Sequence, residues 1–189
     1  MFFHEGRYGQ FCRSYSTRFS VGGATLTYLG LGNSLRVSVP STVSFNCVEQ
    51  YMHYAKAVCF GDSEMASAIL HTGLRWKHRQ FSQKVKGYDV NVWKGVQSTV
   101  LFFGNLTRFV ARYDDAMLLA STGDCPLYDV GGSLLWGIGV GEPRAREMWL
   151  LGEPFEGENL QGQALERVRC CIRELLYRGL IARSPVSVC

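Results

Sequence analysis

The sequence predicts an α+β fold, a single compact and mainly helical domain with a few short strands. Three observations predict it. Apolar residues recur at helical spacing in several stretches of the middle and the end of the chain, whereas alternation of aromatic and polar residues is confined to residues 1–22. No alternation of strand and helix patterns suggests βαβ units. The chain has 189 residues, of which 47% are hydrophobic and 19% charged, so it can bury a core of its own.

The first elements follow from these patterns in order. Residues 1–22 are predicted to be strand and loop, and residues 23–43, rich in Gly, Ser, Thr and Val, a hairpin or an inserted loop. The clearest helix spans residues 46–60. Asn46 is its expected N-cap and Glu49 the capping-box partner. Its apolar stripe consists of Val48, Tyr51, Met52, Ala55 and Cys59.

Four further helices are predicted, at about 64–71, 92–103, 108–121 and 160–177. Residues 122–159 carry many glycines and acids with little periodicity, which predicts loops with short strands. Since no long linker interrupts the chain, we expect one domain over residues 1–189, with a core at about 2–176 and a tail at 177–189.

Composition limits the compartment and the cofactors. The seven cysteines are odd in number and form no C-x-x-C pair, which indicates free thiols in a reducing, intracellular compartment, cytoplasmic or nuclear. The four histidines lack metal-ligand spacing. No apolar run approaches the ~18 residues of a membrane span, and the N-terminus has no signal-peptide core. We therefore expect no metal, no organic cofactor and no membrane association, and the net charge of +4 decides nothing alone.

Glu49 and Lys56 are the first candidates for chemistry. They are seven residues apart, so on a helix they lie on nearly the same face, two turns and ~10.5 Å of rise apart. A carboxylate and an ammonium on one face could both reach a bound sugar. The spacing fits equally a helix cap followed by a solvated surface lysine, and both alternatives stay open.

Two other segments carry weaker signals. The basic stretch 75–86 contains Trp76 and could bind phosphates or a nucleic-acid backbone, or simply be a solvated basic loop. Residues 123–141 surround Trp136 with glycines, which suits close approach to a stacked base. A structural glycine turn around a core tryptophan would have the same sequence.

Taken together, these segments resemble the NADAR (NAD- and ADP-ribose-associated), or YbiA-like, family over about residues 2–176. The strongest similarity is Ser44–Ala57, which contains S-F-N-C-V-E-Q-Y-M-H-Y-A-K-A and resembles the family's S-V-E-Q-Y-M-x-Y-x-K-A. The other similar segments, in chain order, are Val85–Asp89 with Trp93, Leu118–Gly123, Leu127–Asp129, Trp136–Gly139 and Asn159–Leu165 followed by Val168–Arg169.

The resemblance implies a YbiA-like α+β fold and N-glycosidase activity. Some members cleave ribosylamino-pyrimidine intermediates of the riboflavin pathway, and others remove ADP-ribose from guanine bases of nucleic acid. It implies three catalytic candidates, Glu49, Lys56 and Asp129. The implied substrate-binding candidates are Phe11, Arg79, Lys84, Tyr88, Trp93, Trp136, Gly137, Gly139 and Asn159.

Several positions depart from the family pattern. Cys12-Arg13 replaces its S-N, and Ser82-Gln83 its G-R. Asp129 takes the place of a glutamate, and Ser133 falls where many members have aspartate. The changed basic residues and the long 23–43 segment favour a substrate other than the small pyrimidine phosphate, and the basic stretch 75–86 favours nucleic acid, so de-ADP-ribosylation of guanine in DNA is the first hypothesis. A non-catalytic module that binds ADP-ribose or nucleotides is the third hypothesis, favoured by Ser133.

The mechanism expected for such an enzyme passes through an oxocarbenium-like state. Glu49 is assigned electrostatic or general-base catalysis, and Asp129 is the second carboxylate. Trp93 and Trp136 are candidate pocket walls. Lys56 either binds phosphate or attacks the anomeric carbon to give a Schiff base, which requires burial to lower its pKa.

Overall fold

A computed structural model describes residues 1–28 and 39–182. In chain order the elements are β1 (Phe2–Phe3), a 3-10 turn (Gly9–Phe11), β2 (Phe19–Gly22), α1 (Gly23–Tyr28), β3 (Thr42–Phe45), α2 (Val48–Cys59), α3 (Ser63–His71), α4 (Arg75–Gln83), α5 (Val90–Val110), α6 (Tyr113–Ala120), β4 (Tyr128–Asp129), α7 (Glu142–Leu151) and α8 (Leu160–Tyr177). Long helices with a few short strands confirm the predicted α+β class.

The chain divides into two compact units. One comprises residues 13–108, and the other comprises residues 1–12 together with the described residues from Phe109 onward. In the described ranges the strands form two separate pairs, β1 parallel to β4 and β2 antiparallel to β3. Each pair belongs to one unit.

Helix α2 is the centre of the unit formed by residues 13–108. Phe19 on β2 lies opposite Phe45 on β3, and both rings contact the ring of Tyr51 on α2, with centroids 6.2 and 5.2 Å away. Helix α5 packs closely as well, because a Cβ on Gly104 would lie 2.6 Å from Cδ1 of Tyr51. The predicted apolar stripe of α2 is buried, and so is most of the rest of the helix.

The predicted N-terminus of α2 is wrong by one residue. The N-cap is Cys47, whose sulfur accepts a hydrogen bond from the backbone N–H of Gln50 at 3.4 Å. Gln50 returns the bond, because its Oε1 accepts from the backbone N–H of Asn46 at 2.7 Å. The reciprocal cap therefore uses Gln50, and the carboxylate of Glu49 has no part in it.

The predicted break between the third and fourth helices is also wrong. Helix α5 runs without interruption from Val90 to Val110, and α6 begins only at Tyr113. Gly104 and Asn105 look like helix breakers in sequence. In the structure the glycine allows contact with α2, and the Asn105 amide donates to the carbonyl of Leu101 one turn earlier, at 3.0 Å.

Three segments in which no helix was predicted contain helix. Residues 23–28 form α1 at the start of the predicted hairpin or insertion, whose residues 29–38 lie outside the described ranges. The basic stretch forms α4, and α7 interrupts the predicted loop region 122–159. Pro143 in the first turn of α7 and Gly152 at its C-terminus, with φ of 69°, are typical boundary signals.

In the other unit, α8 has the predicted bounds, Leu160–Tyr177. Phe11 lies in the core with its ring 5.7 Å from Phe3 and 6.2 Å from Phe109. Strand β4 pairs with β1 so that Phe3 lies beside Asp129. Among the helices within residues 1–28 and 39–182, none has both the length and the apolar character needed to cross a membrane.

Candidate active site

Helix α2 exposes a single stripe of side chains. Nine of its twelve residues are buried, and the three that are not are Glu49, His53 and Lys56. Their spacing of four and three residues places them along one face of the helix. A buried helix thus presents to solvent a carboxylate, an imidazole and an amine.

The carboxylate of Glu49 lies close to two basic side chains. Its Oε2 is 3.9 Å from Nε of Arg75, and its Oε1 is 4.0 Å from Nε2 of His53. Both distances exceed a hydrogen bond. The backbone N–H of Glu49 donates to the carbonyl of Arg13 at 3.0 Å, which fixes the first turn of α2. The side chain is 22% exposed, so a ligand can reach it.

His53 is a neutral imidazole beside this carboxylate. Burial is the main reason that the pKa of His53 is lowered to about 3. Electrostatic repulsion adds to this effect, and it comes from Arg13, His78, Lys56 and Arg79 in decreasing order. Its Nε2 is buried and makes no hydrogen bond with any of the described residues. Because the Glu49 oxygen stands 4.0 Å away, it does not form the short pair that would favour the protonated ring.

Lys56 is held at the other end of the stripe. Its Nζ donates to the carbonyl of Ser82 at 3.0 Å and lies 3.8 Å from the ring centroid of Tyr88. Burial lowers the pKa of Lys56, which raises its fraction of free amine at a given pH. The contact with Tyr88 places that exposed ring, one of the predicted binding residues, next to the amine.

The second predicted carboxylate, Asp129, lies on β4 in the other unit. Its backbone N–H donates to Oδ1 of Asn159 at 3.0 Å, and its carbonyl accepts from Ile138 at 3.0 Å. The amide of Asn159 also donates to the carbonyl of Leu127, at 2.8 Å. The side chain of Asn159 therefore binds the backbone on both sides of Tyr128 and fixes β4.

The glycine-rich turn around Trp136 also has internal contacts. A Cβ on Gly137 would lie 2.4 Å from the carbonyl oxygen of Asp129, and Gly139 has a φ of 83°. The close approach that Gly137 permits is thus to the backbone of β4. The hydroxyl of Ser133 accepts from the backbone N–H of Trp136 at 3.1 Å, and the indole is half-buried.

The remaining predicted residues divide by exposure. Trp93 and Phe11 are buried in the cores of their units, whereas Arg79 and Lys84 are exposed on and just after α4. Neither His53 nor Arg75 was predicted as a site residue. The position of His53 one helical turn after Glu49 was the available signal. Within the described part of the chain, no group of three or more His, Cys, Asp or Glu side chains could hold a metal ion.

Comparison with known proteins places the chain in a family. The model of the NADAR domain matches residues 1–173, and the chain therefore belongs to the NADAR domain family. The solution structure of YbiA from E. coli superimposes with a TM-score of 0.66 over 98% of this chain and 90% of that one. At 16% identity this similarity shows the fold.

Two curated relatives match part of this chain at low sequence identity. "N-glycosidase R617" of Acanthamoeba polyphaga mimivirus is 26% identical over 122 residues, which cover 64% of this chain and 71% of the viral protein. "Protein irg-1" of Caenorhabditis elegans is 27% identical over 130 residues, 67% of this chain and 60% of that protein. The alignment thus spans less than two thirds of the nematode protein.

Proposed function

We propose that the chain is an N-glycosidase that hydrolyses a ribose–base bond, with ADP-ribose attached to guanine in nucleic acid, above all DNA, as its substrate. The observation that carries the proposal is the accessible stripe of α2. Its carboxylate, Glu49, has no capping role, is only partly exposed and lies beside basic groups. The viral relative named as an N-glycosidase supports the reaction class.

Hydrolysis breaks the bond between the anomeric carbon of ribose and a nitrogen of the base. Positive charge develops on the sugar as the bond breaks, the nitrogen takes up a proton, and the hydroxyl of water ends on the carbon. The carboxylate of Glu49 stabilises the sugar cation or removes a proton from the attacking water. Because the ring of His53 is neutral, it adds no positive charge that would repel the developing sugar cation.

Lys56 has one of two roles. As an ammonium it binds phosphate. As a free amine it attacks the anomeric carbon while the base departs with a proton, and the opened sugar is held as a Schiff base until water releases it. The lowered pKa of Lys56 supports the second role, since only the free amine is a nucleophile.

The charge around the stripe supports a substrate with a diphosphate. Arg75 lies 3.9 Å from Glu49, and the charges of Arg13, Lys56 and Arg79 act on His53. ADP-ribose carries two phosphates, which such a group of cations neutralises. The roles of Asp129, Trp136 and Trp93 stay predictions from the family resemblance, and the proposed reaction includes no metal or organic cofactor.

The proposal is tested with an oligonucleotide that carries one ADP-ribosylated guanine. The expected products are free ADP-ribose and the unmodified oligonucleotide. A ribosylamino-pyrimidine phosphate is offered in competition, and preferential cleavage of that compound would move the substrate to the small metabolites. Tight binding of ADP-ribose without turnover of either compound would contradict the proposed enzymatic activity and would identify a non-catalytic binding module.

A further inference from the structure

The outer face of α4 carries a second feature, separate from the stripe of α2. His78 and Ser82 are buried, and the His78 Nε2 lies 2.8 Å from the carbonyl of Thr72, which fixes this side of the helix inward. The opposite side is exposed, and it presents Trp76, Arg79, Gln80 and Gln83. Positions 76, 79, 80 and 83 form one continuous helical face.

Trp76 has a large aromatic side chain that is exposed to solvent. It is 62% exposed, and the ammonium of Lys77 lies 5.5 Å from its ring centroid. An exposed indole with a cation beside it offers a π-face to a nucleobase and a positive charge to the phosphate attached to that base.

The charge of α4 has one sign. The helix has the sequence R-W-K-H-R-Q-F-S-Q, which contains Arg75, Lys77 and Arg79 and no acidic residue, and the exposed Lys84 follows it. Arg75 also lies 3.9 Å from Glu49. The same basic helix therefore borders the candidate carboxylate at its first residue and exposes an aromatic ring at its second.

We propose that the outer face of α4, formed by Trp76, Arg79, Gln80 and Gln83 with the half-buried Lys77 beside Trp76, binds a single strand of DNA next to the modified nucleotide. Trp76 stacks on a base, and Lys77 and Arg79 contact the phosphates on either side. The inference deepens the proposed function and rests on it for the identity of the strand. Stacking without base-edge contacts makes the binding tolerant of sequence.

The test uses unmodified labelled oligothymidylate of about ten nucleotides and fluorescence anisotropy, so that it does not depend on cleavage. Trp76→Ala is expected to weaken binding by about tenfold, because loss of a base–aromatic stack has effects of this order. Trp76→Phe should retain most of the affinity, whereas Trp76→Leu should not. Tyr177→Ala is the control, since Tyr177 is 89% exposed on α8 and outside the proposed surface.

Salt dependence provides a second measurement on a different residue. Arg79→Gln should reduce the slope of log affinity against log salt by about 0.7, the value for one phosphate contact on a single strand. If Trp76→Ala fails to fold, the salt dependence of Arg79→Gln still tests whether this surface binds the strand. An unchanged slope together with wild-type binding by Trp76→Leu would overturn the proposal.

The remaining outcomes separate this inference from the proposed function. If the protein releases ADP-ribose from the modified oligonucleotide but Trp76→Ala binds oligothymidylate like the wild type, the surface is wrong and the glycosidase stands. If it binds oligothymidylate through Trp76 but cleaves nothing, the surface stands and the glycosidase falls. Tighter binding of oligouridylate, or no binding of either polymer, would overturn the assignment to DNA.

Discussion

Glu49 lies one residue before the position that completes the cap of α2, and this offset decides what its carboxylate can do. Gln50 closes the reciprocal cap with Cys47 and Asn46. Glu49 is left in the first turn, at the positive end of the helix dipole, where negative charge is stabilised. The carboxylate is therefore not used in the cap, and it is partly exposed and accessible to a sugar.

Trapping with borohydride tests the role of Lys56 at the residue scale. If the amine forms a Schiff base with the opened sugar, reduction should leave a stable protein–sugar adduct detectable by mass spectrometry, and Lys56→Met should abolish it. Because burial lowers the pKa of Lys56, the trapping rate should reach its plateau at a lower pH than for an exposed lysine.

Lys94→Met is the control for this experiment, since Lys94 is an exposed lysine of the same unit with no assigned role. It should form the adduct like the wild type. Turnover of the modified oligonucleotide without any adduct would restrict Lys56 to phosphate binding.

His53 makes a prediction about stability and pH. Its pKa is about 3 in the folded protein and about 6.5 in the unfolded chain, so between these values the unfolded state binds the additional proton. The contribution of His53 to stability is complete above pH 6.5 and is lost as pH falls toward 3. The slope from this residue approaches about 1.4 kcal/mol per pH unit within that window.

Urea unfolding at pH 7, 6, 5 and 4 measures the effect. His53→Gln should flatten the decline of the free energy of unfolding, whereas His71→Gln, at an exposed histidine on α3, should keep it. An equally steep decline in the His53 variant would show that other groups cause it.

At the scale of elements, the packing of α5 on α2 gives a matched pair of glycine substitutions. Gly104→Ala would place a methyl group 2.6 Å from the buried ring of Tyr51, and we expect a loss of about 1–3 kcal/mol from overpacking. Gly95 lies on the same helix with nothing within 4 Å of an added Cβ. Gly95→Ala should therefore stabilise the protein by about 0.5–1 kcal/mol.

Chemical denaturation of both variants checks this pair. Two changes of the same sign and size would mean that helix propensity alone determines them, and that α5 does not pack against Tyr51 as described.

The elements also show which information the sequence holds. Helix α8 was predicted with its bounds, because its apolar spacing is regular over eighteen residues. Helix α5 was divided at Gly104 and Asn105, since a sequence does not reveal that a neighbouring ring needs the glycine. The short helices α4 and α7 lack strong apolar periodicity, and neither was predicted as a helix.

At the scale of the whole molecule, the candidates for chemistry divide between the two units. Glu49 and Lys56 belong to residues 13–108, and Asp129 and Trp136 to the other unit. The resemblance seen in the sequence led to the NADAR family, which the match over residues 1–173 confirms. The substrate was not predictable in the same way, because the family match does not distinguish ADP-ribosylated guanine from the small pyrimidine phosphate.

Replacement of Glu49 by glutamine tests the central claim most directly. Release of ADP-ribose from the modified oligonucleotide is compared among the wild type, Glu49→Gln and Glu64→Gln, whose carboxylate is exposed on α3 and pairs with Lys86. Glutamine keeps the size of the side chain and removes its charge, so Glu49→Gln should fold normally and lose at least about 100-fold in kcat. Glu64→Gln should match the wild type. A Glu49→Gln protein that cleaves at the wild-type rate would contradict the account.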